Sequence, residues 1–263
     1  MDCIVPSRPV RGSWQSPRGA LPGPWTVANT GRLCGRRYVN PDSLSESGRN
    51  PLSRAAENGH QAIVKLLLER KDVRPDTPDT EYGVTPLLWA ALNCHEGIVK
   101  LLLEKKDVNP NTTATKDGRT PLWWAAVYGH EGIVKLLLDR KDVNPNTLDT
   151  EHGQTPLSLA AKNGHERIVK LLLEKKDINH NTPDTWYGRT PLLWAAVNAH
   201  EGIVKLLLDR KEVNPDTPDT CYGRTPLSWA AEEGHEGVVK LLLERKDASP
   251  NTPDSNYSRT PLS

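Results

Sequence analysis

Six histidines, His60, His95, His130, His165, His200 and His235, each stand just ahead of an apolar run, and in five of these copies a glutamate follows directly. A His-Glu pair opening a helix is half of a zinc-hydrolase motif: a second His one turn on completes the grip on the metal, and the Glu serves as base. Four residues on, however, stand Val99, Val134, Val169, Val204 and Val239, so the second ligand is missing. Neighbouring histidines of the row sit on adjacent packed helices, roughly 8–10 Å apart, too far to share one ion at ~2 Å bonds. The row therefore reads as structural hydrogen bonding at a helix start. No phosphate loop, dinucleotide fingerprint or nucleophile elbow occurs. No catalytic residue, metal or cofactor is expected, and an enzyme could hide only in the short, irregular residues 1–37.

A second set of spacings points to binding instead. Trp89, Trp124, Trp194 and Trp229 share one register, with Arg54 and Leu159 filling its other two places. Arg119, Arg189, Arg224 and Arg259 share another. Variation between the copies gathers at three places: the residue after each Gly, the pairs Glu81-Tyr82, Lys116-Asp117, Glu151-His152, Trp186-Tyr187 and Cys221-Tyr222, and the end of the first helix, with Asn93, Tyr128 and Asn198. Trp, Tyr and Arg dominate binding hot spots. Convergence of all three predicts a partner-binding strip of Trp89, Asn93, Arg119, Trp124, Tyr128, Trp186, Tyr187, Arg189, Trp194, Asn198, Arg224 and Trp229. The competing reading is that the indoles stack between copies and extend the core. A further alternative is a nucleic-acid or other anionic ligand held by the Arg row, with the Trp strip as stacking platforms.

The elements that position these residues recur every 35 residues. Thr85, Thr120, Thr155, Thr190 and Thr225 each open a unit with Thr-Pro-Leu; Asn50-Pro51-Leu52 opens a variant copy, and a seventh begins at Thr260. Self-similarity at such a period marks an array of stacked units. Within one unit, Thr120 suits an N-cap and Pro121 the first helical position. Leu122, Ala125 and Ala126 fall on one helical face, and Gly129 ends the helix as a left-handed cap. A second helix runs from Glu131 to Asp139, apolar over most of its girth because neighbouring units press on it. Asp142 to Gln154 is loop chemistry, rich in Asn, Asp, Thr, Pro and Gly. A lone helix pair cannot bury its apolar faces, so the stack supplies the core.

The pattern Gly-x-Thr-Pro-Leu-x-x-Ala-Ala-x-x-Gly-His-x-x-x-Val-x-x-Leu-Leu resembles the ankyrin repeat and covers about four-fifths of the chain. The resemblance implies an all-α solenoid of helix–turn–helix units joined by long β-hairpin-like fingers. In such arrays the first-helix face carrying the Trp row lines a concave groove beside the fingers, and the role implied is non-enzymatic binding of a partner protein. There are two departures. The His that usually follows Thr-Pro-Leu is Ser53, Leu88, Trp123, Ser158, Leu193 or Ser228. Basic pairs such as Arg140-Lys141 replace the Gly-Ala turn, and the finger is about three residues longer. Both features resemble the expanded ankyrin arrays of filamentous fungi, which implies a sensing or scaffolding part of a larger multidomain protein, with the partner unnamed.

Residues 1–37, rich in Pro, Gly, Ser and Arg, are expected to be disordered. Residues 38–49 parallel 212–224 and read as the degenerate finger of a decayed repeat, ahead of an ankyrin-repeat domain over 50–263. Net charge is +1. Residues 1–49 hold seven Arg against Asp2, Asp42 and Glu46, leaving the repeats mildly acidic, which gives no general reason to expect nucleic acid. Four scattered cysteines fit reduced thiols in a cytoplasmic or nuclear setting. No signal-peptide pattern or transmembrane run is evident, and no membrane partner is expected. Because the seventh unit stops after Thr-Pro-Leu, the sixth is expected to present an uncapped apolar face and to fray over Gly237–Asp247, or to associate end to end.

Overall fold

The computed structural model of the chain describes residues 48–114, 117–255 and 260. Segment 1–37, and all of the decayed finger except Gly48 and Arg49, lie outside them. Among the described residues twelve helices form six pairs: α1 Pro51–Glu57 with α2 Gln61–Leu68, α3 Pro86–Leu92 with α4 Glu96–Leu103, α5 Pro121–Tyr128 with α6 Glu131–Leu138, α7 Pro156–Lys162 with α8 Glu166–Leu173, α9 Pro191–Val197 with α10 Glu201–Leu208, and α11 Pro226–Glu232 with α12 Glu236–Glu244. None is long and apolar enough to cross a membrane.

The capping chemistry is local and repeats in every unit. Thr120 Oγ1 accepts the Trp123 N–H at 3.1 Å and Thr155 Oγ1 the Ser158 N–H at 3.0 Å, while the Asn50 side chain does the same for Ser53 at 2.7 Å. Each such cap is worth ~1 kcal/mol. Helices of this length are marginal alone, and packing completes them. First helices pack on first helices and second on second, making two layers. Between them lies one continuous core of Leu, Ile, Val and the paired alanines, with Leu87, Ala90, Val99, Leu137 and Leu172 fully buried. A buried Leu contributes about 1.5–3 kcal/mol, and Ala at the crossing lets the first helices approach closely.

Polar hooks then lock each repeat to the one before it. The ladder histidines donate from Nε2 to backbone carbonyls one repeat back: His95 Nε2 to Glu57 O at 3.0 Å, His165 Nε2 to Val127 O at 3.0 Å, His235 Nε2 to Val197 O at 3.1 Å. Basic residues after α4, α6, α8 and α12 cap the second helix of the repeat before, with Lys105 Nζ donating to Leu68 O at 2.8 Å and Arg140 to Leu103 O at 2.7 Å. A cation at a helix C-terminus also meets the negative end of the dipole. In the lengthened loops Asn111, Asn146 and Asn181 each make a double hook onto the next repeat. Asn146 Oδ1 accepts the Asn179 N–H at 2.8 Å and its Nδ2 donates to Asp177 O at 2.7 Å. Asp76 and Asp216 hold the same register but can only accept, from Asn109 and Ser249.

In place of the expected β-hairpin-like fingers, the described residues contain no strand. The finger before α9 is a tight turn: Asp184 N–H bonds Arg189 O at 3.0 Å and Gly188 N–H bonds Asp184 O at 3.1 Å, with Gly188 at φ +67°. Adjacent fingers share single bonds, such as Thr185 N–H to His152 O at 2.8 Å. Pro183, lacking an N–H, cannot extend a ladder from there.

Candidate functional site

The predicted strip divides into buried and exposed parts. Trp89, Trp124, Trp194 and Trp229 are only 4, 4, 5 and 2% exposed. Three of these indoles donate to a carboxylate in the finger that precedes their own helix: Trp89 to Asp79 at 3.1 Å, Trp194 to Asp184 at 2.8 Å and Trp229 to Asp219 at 2.8 Å. The same carboxylates hold the finger shut, since Asp184 Oδ1 accepts the N–H groups of Trp186 at 3.0 Å and Tyr187 at 2.6 Å. At the equivalent place before α5 stands Ala114, and the neighbouring Trp123 donates instead to Asp149 of the next finger at 3.3 Å. Buried rings offer no area to a partner, so the Trp row extends the core, as the competing reading has it.

The arginines are built into the same layer. Arg189, 7% exposed, lies 4.8 Å from the Trp194 ring, 4.7 Å from Trp229 and 4.9 Å from Tyr187. Arg224 lies 5.1 Å from both Trp229 and Tyr222, and Arg119 4.6 Å from Trp123. Arg49 repeats the arrangement, 4.2 Å over Trp89. Guanidinium groups thus alternate with rings, each contact worth ~1–2 kcal/mol when desolvated. Asn93 and Asn198 turn back on their own helix, their Nδ2 donating to Trp89 O at 2.9 Å and Trp194 O at 2.8 Å. These two amides finish helix ends.

The exposed part centres on repeats three to five. Tyr128 is 44% exposed and stacks on Trp124 at 5.7 Å with the rings 10° from parallel; burial of its inner side pushes its phenol pKa up, against a smaller opposite pull from Arg119. Trp186 is 62% exposed, against His152 at 4.5 Å and Tyr187 at 5.5 Å, and Tyr187 in turn meets Trp194 at 6.0 Å. Glu151 joins the two aromatic groups, pairing with Arg119 at 2.7 Å and lying 3.7 Å from His152. A chain of contacts through Trp124, Arg119, Glu151 and His152 thus links Tyr128 to Trp186, and Leu148, in the same finger as Glu151 and His152, is 44% exposed.

Sequence reasoning missed three participants: the finger Asp row, Lys162 and Leu148. The Asp signal was legible, because a carboxylate recurs at Asp79, Asp149, Asp184, Asp219 and Asp254, one repeat apart apart from Ala114. A charge fixed at one register of an array needs a structural cause. Lys162 was visible only as one variable residue among several; its ammonium lies 4.2 Å from the Trp194 ring, and burial lowers its pKa despite the carboxylates of Asp184 and Asp149.

A sequence profile described as "Ankyrin repeats (3 copies)" matches residues 28–114, 107–184 and 175–254, most of the chain. No curated protein matches it. Among solved structures, the ankyrin repeat domain of Bcl-3, a member of the IkappaB family, is similar with a TM-score of 0.71 and 23% identity, over 82% of this chain and 93% of that one. The ankyrin repeat protein EF0377 is similar with a TM-score of 0.68 and 26% identity, over 78% of this chain and the whole of the other.

Proposed function

The chain belongs to the ankyrin-repeat family, a general protein–protein interaction fold, and from that premise we propose that it is a non-enzymatic scaffold binding a partner protein through its groove and finger tips. One observation carries this reading: the repeats differ from one another at the positions of Tyr128, Leu148 and Trp186, all exposed, while the second helices are almost invariant. An exposed indole and phenol on a rigid, hydrogen-bonded frame are the kind of anchors that dominate interfaces. Nothing in the scaffold needs them outside, since the structural rings are already inside. The nucleic-acid alternative finds less support, because stacking a base needs open ring faces and the Arg–Trp row is covered.

A photo-reactive amino acid placed at Leu148 and, separately, at Lys135 on the exposed side of α6 tests the reading in lysate. We expect a discrete crosslinked protein from position 148 and none from 135. Adducts from 135 alone would place the interface on the second helices.

A further inference from the structure

Among the described residues, Arg49, Arg119 and Arg224 of the finger row each hydrogen-bond a carboxylate of the chain, whereas Arg189 has only a long ion pair. Arg49 donates to Glu57 at 2.7 and 2.9 Å, and Arg224 to Glu232, each eight residues on. Arg119 has Val127 at that place and turns to the finger tips instead, meeting Asp117 at 3.3 Å and Glu151 at 2.7 Å. At Arg189 the corresponding three positions hold Val197, Tyr187 and Cys221. Its nearest carboxylate, Asp219, is 3.9 Å away and is already occupied by the N–H of Tyr222 at 2.8 Å and the indole of Trp229 at 2.8 Å. Arg189 Nε, like those of Arg49 and Arg119, has no hydrogen-bond partner among the described residues; unlike those two, Arg189 makes no side-chain hydrogen bond to a carboxylate with its other nitrogens, although the side chain is only 8% exposed.

A second cation stands beside it. Lys162, from the preceding repeat, shares the Trp194 ring with Arg189, at 4.2 Å against 4.8 Å. Among the described residues Lys162 makes no ion pair, and burial with the neighbouring guanidinium holds its pKa down against the pull of Asp184 and Asp149. Two largely buried cations, one with only a 3.9 Å ion pair to a carboxylate that already accepts two hydrogen bonds, are costly to desolvate. The sibling repeats show what completes such a place: a side-chain carboxylate beside the end of the first helix, as Glu57 and Glu232 supply.

We propose that the slot beside Val197 takes a carboxylate from the partner, an Asp or Glu set next to an apolar residue, which pairs with Arg189 and Lys162 as Glu57 pairs with Arg49. The proposal rests on the reading of this face as the binding face. The apolar neighbour would cover Trp186, from which Tyr187 leads inward to Trp194.

Panning a short random-peptide library on the intact chain and on Val197→Glu tests it. The substitution supplies the missing carboxylate in cis at a position where two sibling repeats already carry one, so its thermal midpoint should match or exceed that of the wild type. The wild type should enrich peptides with an acid next to an apolar residue. Changing that acid to its amide should weaken binding about thirtyfold, and Val197→Glu should bind the parent peptide weaker by a similar factor. Enriched peptides without a shared acid, or the same peptides enriched equally by both chains, would overturn the carboxylate slot and leave the binding face standing. Failure to enrich any peptide would overturn the slot together with the binding face.

Discussion

Trp194 donates its indole N–H to the buried carboxylate of Asp184 at 2.8 Å, across ten residues of sequence, and in doing so ties a first helix to the finger that precedes it. Trp229 with Asp219 and Trp89 with Asp79 repeat the bond. The finger is therefore a rigid part of the scaffold. Residues exposed at its tip are held in place before any partner arrives, which lowers the ordering cost of binding.

Removing that carboxylate should be expensive. Asp184→Ala strands three donors, the indole of Trp194 and the N–H groups of Trp186 and Tyr187. We expect a loss of ~3 kcal/mol in urea unfolding, while Asp184→Asn, which keeps an acceptor, should lose less. Equal losses would mean that the charge, and not the acceptor geometry, holds the finger.

Cys94 and Ala199 sit in left-handed backbone, at φ +61° and +57°, where the other repeats use Gly. A side chain there costs ~1 kcal/mol. It also crowds the next repeat's His: a Cβ added at Gly129 would come within 2.8 Å of the His165 ring. The His130 bond to Leu92 O, over Cys94, is 3.4 Å, while the His235 bond to Val197 O, over Ala199, keeps 3.1 Å. Cys94→Gly and Ala199→Gly should each raise the thermal midpoint, and the opposite substitution Gly129→Ala should lower it.

Asp76 and Asp216 interrupt the amide hooks made by Asn111, Asn146 and Asn181, and each leaves a buried Oδ1 without a hydrogen-bond partner among the described residues. Asp76→Asn and Asp216→Asn should each stabilise the chain by ~1 kcal/mol at neutral pH. Burial raises the Asp76 pKa, more than the Asn109 and Thr112 hydrogen bonds lower it. For an acid with a raised folded pKa, the neutral form is favoured in the native state. The penalty of the charged form is thus present at neutral pH and is relieved as pH falls through the raised value. The gain from Asp76→Asn, measured by urea unfolding across that range, should shrink as the solution is acidified.

Period, helix pairs and caps were legible because they depend on neighbours in sequence: Thr120 and Pro121 start a helix wherever they occur, and Gly129 stops it. The helical wheel also placed Trp89 and Trp194 off the Leu-Ala-Ala stripe. It could not show that the finger folds over that face, because the burial depends on an Asp ten residues earlier and an Arg stacked from the side. For the same reason the sequence could not show that Arg189 is nearly enclosed. Tyr128 and Trp186 are exposed, and each is confined to one repeat, which the array's own packing does not explain.

The most direct measurement of the binding face is the affinity of the protein crosslinked at Leu148 for three variants of the intact chain. Tyr128→Ala and Trp186→Ala should each weaken it at least about tenfold. Lys135→Ala, on the exposed side of α6, should leave it unchanged, and all three thermal midpoints should stay close to that of the parent. Unchanged binding by the two aromatic variants, with loss on Lys135→Ala, would contradict the account and move the interface to the second-helix layer.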